Sequence, residues 1–429
     1  MIFCSGDGAS ASERVRRRFV KELLRKGAIV VMLGAGGVGK TTVAAALGLA
    51  AAHQGLNTAL ITVDPARRLR EALGLERLSA APTRLDRRRL RAAGLDSSIR
   101  LSAMMLDVKR TWDALVHEFV ESPDARCRML ANPIYRSLTQ QFAGAEAYAA
   151  FEQLDELHRS GQFDIEIVDT PPAAHAFEFF EAPRRLVRLL DSPGARWLFT
   201  PETSLSRGAL SLASRAARFV VAQLETFTGT RTLSATSDFF GLAAEAATAL
   251  RERFHKTDAM LHSARVSFVL VTTPREDHLH HALELAALTE RQNFSLRAIV
   301  INRLLDERTF TALRSRQRDP AHLADIARLR AVLGEKDSKG DALINYLEGY
   351  REHQILEVER AVRFAHELPA RIALAVTPAV EPAVRDLRSL ATLSSSFGVS
   401  AYSRKFLDRA AAALGISAVE NVQAQRWTR

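Results

Sequence analysis

Two apolar rhythms alternate along this chain. Short unbroken apolar runs are the mark of strands buried on both faces of a parallel sheet. One such run is Ala28-Ile-Val-Val-Met-Leu33, and further strands are read at Thr58-Ala-Leu-Ile-Thr-Val63, Asp164-Ile-Glu-Ile-Val168, Ser267-Phe-Val-Leu-Val271, Ala298-Ile-Val-Ile301 and Arg371-Ile-Ala-Leu-Ala-Val376. Between them runs the three-to-four spacing of amphipathic helices. Segment 12–26 reads as one such helix: Ser12 caps it, Val15, Phe19 and Leu23 share a face, and Gly27 ends it. Another runs from Thr41 to Ala52 and stops at Gly55. Strands separated by helices predict an α/β fold built on a doubly wound, mostly parallel sheet.

The spacing of the runs is uneven. Asp169 lies 105 positions after Asp64, and Ser267 lies 98 positions after Asp169. Ordinary crossovers are much shorter, so both gaps predict added helices. Segments 107–121, 140–160, 209–227 and 237–262 carry helical spacing. We therefore expect one core made of 27–106, 161–180 and 265–400, with a helical subdomain inserted as 107–160 and 181–264. A charged helical insertion at 306–366 and a C-terminal tail at 401–429 complete the division, and no internal repeat is visible.

The chemistry begins where the first strand ends. Gly34-Ala-Gly-Gly-Val-Gly39-Lys40-Thr41 fits the pattern G-x-x-x-x-G-K-[ST], with a strand before it and a helix after it, and the chain holds only one such loop. Glycine lets the backbone curl so that successive N–H groups point at phosphate oxygens, with no Cβ in the way. The helix that follows adds its positive end. Lys40 is placed to neutralise β- and γ-phosphates and the Thr41 hydroxyl to ligate Mg²⁺. The nucleotide site is thus read as Gly34, Ala35, Gly36, Gly37, Val38, Gly39, Lys40, Thr41 and Thr42. It predicts an ATP hydrolase that uses ATP and Mg²⁺.

Two aspartates close neighbouring runs. Asp169 follows Val168 at a strand end, in the crevice where α/β sheets bind ligands, and there it can hold Mg²⁺ through a water. Thr170-Pro171-Pro172 follows it, so no adjacent glutamate is available to orient an attacking water. Asp64 follows Val63 and carries two readings: water activation, or capping of a helix that starts at Pro65. On spacing alone capping has the edge.

Composition narrows the class. An apolar share of 47% and a charged share of 25% are those of a globular protein. No uncharged apolar stretch reaches the ~20 residues of a membrane span, and no apolar region follows the N-terminal arginines as in a secretory signal. Cys4 and Cys127 lie far apart without a Cys-x-x-Cys pair, which predicts neither disulfides nor a zinc cage and makes the cytoplasm the expected compartment. The net charge of +10 is dispersed, and aromatics do not interleave with the basic runs, so no specific nucleic-acid partner is expected.

Taken together, Gly36-Gly-Val-Gly-Lys-Thr-Thr42, Val63-Asp-Pro-Ala66, Val168-Asp-Thr-Pro-Pro172 and Ile301-Asn-Arg303 resemble the ArsA family. That family includes arsenical-pump-driving ATPases and the guided-entry ATPases that deliver tail-anchored membrane proteins. The resemblance spans roughly 28–400 and is nearest to bacterial ArsA-like ATPases of undefined substrate, through Met129-Leu-Ala-Asn-Pro133 to Asp191. It implies a P-loop fold of the SIMIBI type and an ATP-driven switch acting on a protein client or a membrane transport partner. It also implies a homodimer or pairing with a related ATPase chain. Residue by residue, it makes Asp64 the water-activating aspartate, Asp169 the magnesium-side aspartate, 169–180 a moving switch with His175, Asn302 the adenine reader and Pro378 part of the loop on the base.

Three departures limit the analogy. The family's second lysine, which reaches a partner's nucleotide, is replaced by Ala35; Arg67 or Arg68 could supply that charge or could be plain solvated arginines. The thiolate trio for arsenite and the zinc clasp are both missing, so no zinc is expected. The apolar stripe Phe239, Phe240, Ala243, Ala247, Leu250 and Phe254 reads as buried core, with a client groove as the alternative. Two further readings stay open: a non-hydrolysing ATP-gated scaffold, and a partitioning-type ATPase acting on DNA or membrane surfaces.

Overall fold

Strand β1 (Ala28–Leu33) sends alternate side chains into two separate cores. Ile29, Val31 and Leu33 enter one, Ala28, Val30 and Met32 the other. That is the physical meaning of an unbroken apolar run. The computed structural model describes residues 23–63, 67–141, 143–170, 184–185, 187–188, 191, 233–315, 328, 338–379, 384–396 and 400–416. Among them β1 is joined by β2 (Thr58–Thr62), β3 (Thr83–Arg84), β4 (Leu101–Met105), β5 (Ile165–Asp169), β6 (Val266–Thr272), β7 (Leu296–Leu304) and β8 (Ala373–Pro378). The order is β3-β4-β2-β5-β1-β6-β7-β8. Every neighbouring pair is parallel except β3 with β4. The chain therefore winds one way from β1 to β2 and β4, and the other way from β6 to β8.

Six strands fall on the six apolar runs. Strands β3 and β4 lie outside those runs: β3 has two residues, and β4 is Leu-Ser-Ala-Met-Met, without a β-branched or aromatic residue.

Helices cover both faces. Helix α1 (Lys40–His53) has α2 (Arg67–Ala72) and α3 (Arg87–Ala92) after it in the chain, and α12 (Leu387–Ser396) shares its core face. Helices α7 (Ala143–Arg159), α9 (Glu276–Arg291), α10 (Glu307–Ser315), α11 (Ser338–Glu367) and α13 (Ser400–Leu414) contribute to the other core. Helices α4 (Val108–Phe119), α5 (Pro123–Ala131), α6 (Pro133–Gln141) and α8 (Leu233–Leu261) meet through Val116, Met129, Tyr135 and Ala243. In that layer Trp112, Tyr148 and Phe254 form an aromatic trio, with Tyr148 and Phe254 centroids 4.4 Å apart. Glu152 ties α7 to α8, accepting from Arg253 Nε at 2.7 Å and from the Tyr148 hydroxyl at 2.8 Å.

Phe240, Ala243 and Phe254 are buried here, and Phe239 and Leu250 pack against the same clusters. The stripe on α8 is thus core, because α4 and α5 offer it apolar faces. Helix α11 divides differently: Val358, Ala361 and Val362 are buried, while Leu343, Tyr346, Leu347 and Tyr350 are exposed. Among the described residues no helix is long and apolar enough to cross a membrane.

A charged residue sits in the middle of β5. Glu166 of β5 is buried, with His158 Nδ1 3.2 Å from its Oε2. Burial raises the Glu166 carboxyl above its ordinary 4.5, against the pull of His158. A carboxyl whose folded pKa is raised contributes stability at low pH, and that contribution is lost as pH climbs through the folded value. Glu166→Gln should therefore gain thermal stability relative to wild type as pH rises from about 5 to about 8. A difference in melting temperature that stays constant across that range would contradict this account.

Candidate functional site

Because neighbouring strands run parallel, their C-terminal ends open along one edge, and the chain leaving β1 emerges at its middle. Register places Met32 of β1 and Thr62 of β2 beside Asp169 of β5, and Asn302 of β7 beside Thr377 of β8. The sequence-predicted residues of the core thus converge on one crevice from strands far apart in the chain.

The glycine loop fills the mouth of that crevice. Gly34, Gly37 and Gly39 take φ of 147°, 79° and 94°, a region in which L side chains are strained. Position 34 also has no room: a Cβ there would run into the Val271 carbonyl oxygen of β6. At Gly39 a Cβ would run into Asn302 Nδ2, whereas at Gly37 it would meet open space. Gly36 and Gly37 are exposed, Val38 is buried, and Ala35, Thr41 and Thr42 are half-buried. Ala35 rests on the α1-side core.

Helix α1 starts at Lys40 with Gly39 as N-cap, no side-chain cap and no acid in its first turn. Its positive end is accordingly left to face the crevice. Lys40 is buried, and its Nζ donates to the Gly34 carbonyl at 2.9 Å and to the Ala35 carbonyl at 3.0 Å. An ammonium so placed, at the mouth of an exposed glycine turn, is a ready counter-charge for phosphate.

Asp169 is only 2% exposed and closes β5; its Oδ2 accepts from the Thr62 hydroxyl at 3.4 Å. It is a buried strand-end carboxylate. Thr170 donates to the Met32 carbonyl at 2.5 Å, pinning the start of the next segment to β1. Across the sheet, Asn302 Nδ2 donates to the Val38 carbonyl at 2.8 Å, and the Thr377 hydroxyl donates to Asn302 Oδ1 at 2.8 Å. Arg303 follows with φ 63° at a register shift, so that Leu304 pairs with Pro378, which is half-buried at the end of β8.

Asp64 and His175 lie outside the described residues, as does the switch segment beyond Thr170; the side chains of Arg67 and Arg68 are likewise outside. Sequence reading missed Thr62, Thr170 and Thr377. Thr170 adjoins Asp169, Thr377 adjoins Pro378 and Thr62 lies two residues before Asp64, and that position was the available signal. Thr41 and Asp169 offer hydroxyl and carboxylate oxygens, the hard donors Mg²⁺ takes together with phosphate and water. Among the described residues no cluster of three or more His, Cys, Asp or Glu could hold a metal without such help.

A family model described as anion-transporting ATPase matches residues 28–326. ATPase GET3 of Malassezia globosa is 28% identical over 157 residues, which is 37% of this chain and 43% of that protein. An ATPase ASNA1 homolog of Babesia bovis is 27% identical over 200 residues, 45% of this chain and 48% of its own. A putative arsenical pump-driving ATPase 1 of Aquifex aeolicus is 26% identical over 164 residues, 36% of this chain and 38% of its own. The chain spans less than half the length of these curated relatives.

The loop geometry orders the glycines by tolerance. Gly34→Ala meets both a forbidden φ and a backbone oxygen and should cost about 2–4 kcal/mol. Gly37→Ala meets only the φ penalty, about 1–2 kcal/mol. Denaturant midpoints of the two variants check the order, and equal losses would contradict it.

Proposed function

The chain belongs to the anion-transporting ATPase family, and we propose that it hydrolyses ATP with Mg²⁺ at the glycine loop and uses the cycle to drive a partner. The observation that carries this reading is the state of Lys40, buried at the mouth of the loop and held by the loop's own carbonyls. Arriving phosphate offers that ammonium a full negative charge in place of two neutral carbonyls, so the exchange favours the bound nucleotide. Exposed Gly36 and Gly37 and the uncapped start of α1 present backbone N–H groups to the same charge.

Thr41 and, through water, Asp169 would hold Mg²⁺, which neutralises charge on the β- and γ-phosphates. Thr62 orients the Asp169 carboxylate for that task. Asp64, by its place after β2 and by the family resemblance, is the residue we assign to orient the attacking water. Thr170 anchors the segment that follows Asp169 to β1. In this reading that segment, with His175, orders around the γ-phosphate and relaxes after hydrolysis. The helices of 107–160 and 181–264 are the part that conveys the change.

Names among the relatives, a pump-driving ATPase and two ATPases of the GET3 and ASNA1 kind, support a protein or membrane transport partner. One loop per chain, in a family whose members work as paired units, supports a homodimer or pairing with a related chain. A second reading is favoured by Ala35, which rests on the core without a charge. In that reading the protein binds ATP as a gated scaffold and waits for a partner to complete the site.

Turnover separates them. Purified protein with Mg²⁺ should release phosphate from ATP, and both Lys40→Ala and Asp64→Asn should lower the rate by about 100-fold or more. Turnover that survives Lys40→Ala would remove the loop from catalysis. Tight ATP binding without turnover in wild type would establish the scaffold reading instead.

A further inference from the structure

We propose that the arginine face at the β3 edge of the sheet is a docking surface for an anionic phospholipid membrane. From Arg77 to Arg91 the chain carries six arginines, no lysine and one acid, Asp86. Asp86 is committed as the N-cap of α3, accepting from the Arg88 N–H at 2.8 Å. Arg89 is half-buried and pairs with Glu76 at 3.2 Å. Arg77, Arg84, Arg87, Arg88 and Arg91 are exposed, and none has an ion-pair partner among the described residues. From α12, Arg388 reaches the same place, donating through Nη2 to the Ala92 carbonyl at the end of α3, 3.4 Å away. Arg87 and Arg91 stand one helical turn apart, and like charges so close repel one another. A polyanion relieves all of them at once. Strand β3 has two residues, too short an edge to need such charge as protection against pairing.

The form of the face selects among polyanions. A protein partner needs apolar or aromatic anchors at the centre of its interface. Among the described residues the exposed large apolar side chains all lie on α11, from Leu343 to Leu356, and none lies among these arginines. Single-stranded nucleic acid needs stacking aromatics, and residues 64–100 contain none. Duplex nucleic acid holds its phosphates at fixed intervals. Helix α3 has six residues and is about 9 Å long, less than the ~12 Å width of a major groove. The arginines before it follow no regular interval. Headgroups in a fluid bilayer redistribute to meet an irregular array of cations, and each arginine near an anionic surface strengthens binding about fivefold. Strand β3 lies four strands from β1, about 19 Å. Contact at this edge therefore leaves the glycine loop uncovered and brings the chain to the surface where a membrane transport partner lies.

Sedimentation of the full-length protein with vesicles tests this without nucleotide, so the result stands apart from the ATPase reading. Phosphatidylcholine vesicles with about 30% phosphatidylglycerol should bind the protein in about 50 mM NaCl, at least about tenfold more tightly than phosphatidylcholine alone. Raising the salt to about 300 mM should weaken that binding at least about tenfold, because exposed charges are screened. Arg84→Gln/Arg87→Gln/Arg88→Gln/Arg91→Gln should lower the partition coefficient at least about 100-fold. Arg265, Arg291, Arg297 and Arg308 are likewise exposed and without an ion pair among the described residues. Changing those four to Gln removes the same charge elsewhere and should cost no more than about threefold.

A wild type that does not bind the anionic vesicles, or binds neutral ones equally, overturns the proposal. So does binding that the first variant keeps, or that both variants lose alike. Tighter binding to a mixed-sequence DNA duplex or to polyglutamate, at equal charge concentration, also overturns it and assigns the face to that partner instead. Should the fourfold variant fail to fold, Arg87→Gln and Arg91→Gln singly should each cost about fivefold, and no loss in either refutes the assignment.

Discussion

A parallel sheet buried on both faces ends neighbouring strands at the same edge, and that constraint governs the rest of this molecule. Both faces of β1, β5 and β6 are closed by apolar side chains, so nothing polar can be placed there without a partner. Glu166 of β5 meets that condition through His158, and a further set of polar groups is admitted where the strands stop. Thr62, Asp169, Thr272, Asn302 and Thr377 all stand at or beside those ends, and all are buried. The crevice is therefore a consequence of how the core is packed, and the glycine loop is the segment that crosses its centre.

Crossing there leaves little freedom. The backbone at Gly34 passes so close to the β6 carbonyl of Val271 that only hydrogen fits, and Gly39 passes equally close to Asn302. The loop is thus held from the β6 side by shape and from the β7 side by the Val38–Asn302 hydrogen bond. Such bracing fixes the loop's backbone N–H groups before any ligand arrives, the condition under which electrostatic stabilisation is most effective. Lys40 follows the same rule: it donates to carbonyls of the loop itself.

How far could this be foreseen from the residues alone? The strands β1, β6 and β7 were legible because a run rich in Val, Ile and Leu is what a strand buried on both faces requires, and β5 was legible despite Glu166 in its middle. The loop was legible because its spacing is tied to a chemical task. Strand β4 was hidden because Leu-Ser-Ala-Met-Met has no periodic or β-branched signature. The tie between Thr377 and Asn302 was hidden for a different reason. The two residues are 75 positions apart and meet only because β7 and β8 pair in one particular register. Asn302 could be singled out from its motif, but its partners could not, since a hydrogen bond across a sheet is a property of strand order.

This difference bears on what a motif can carry. The demands of the glycine loop and Lys40 are local enough to be written as a short motif. An asparagine amide can flip. Its orientation is set by its partners, and here one restraint comes from the glycine loop and the other from the neighbouring strand. The same amide that Thr377 holds also braces the Val38 carbonyl, so the end of β7 and the glycine loop share a structural element. The position of the glycine loop is thereby tied to the pairing of β7 with β8, and the sheet itself sets where the loop can lie.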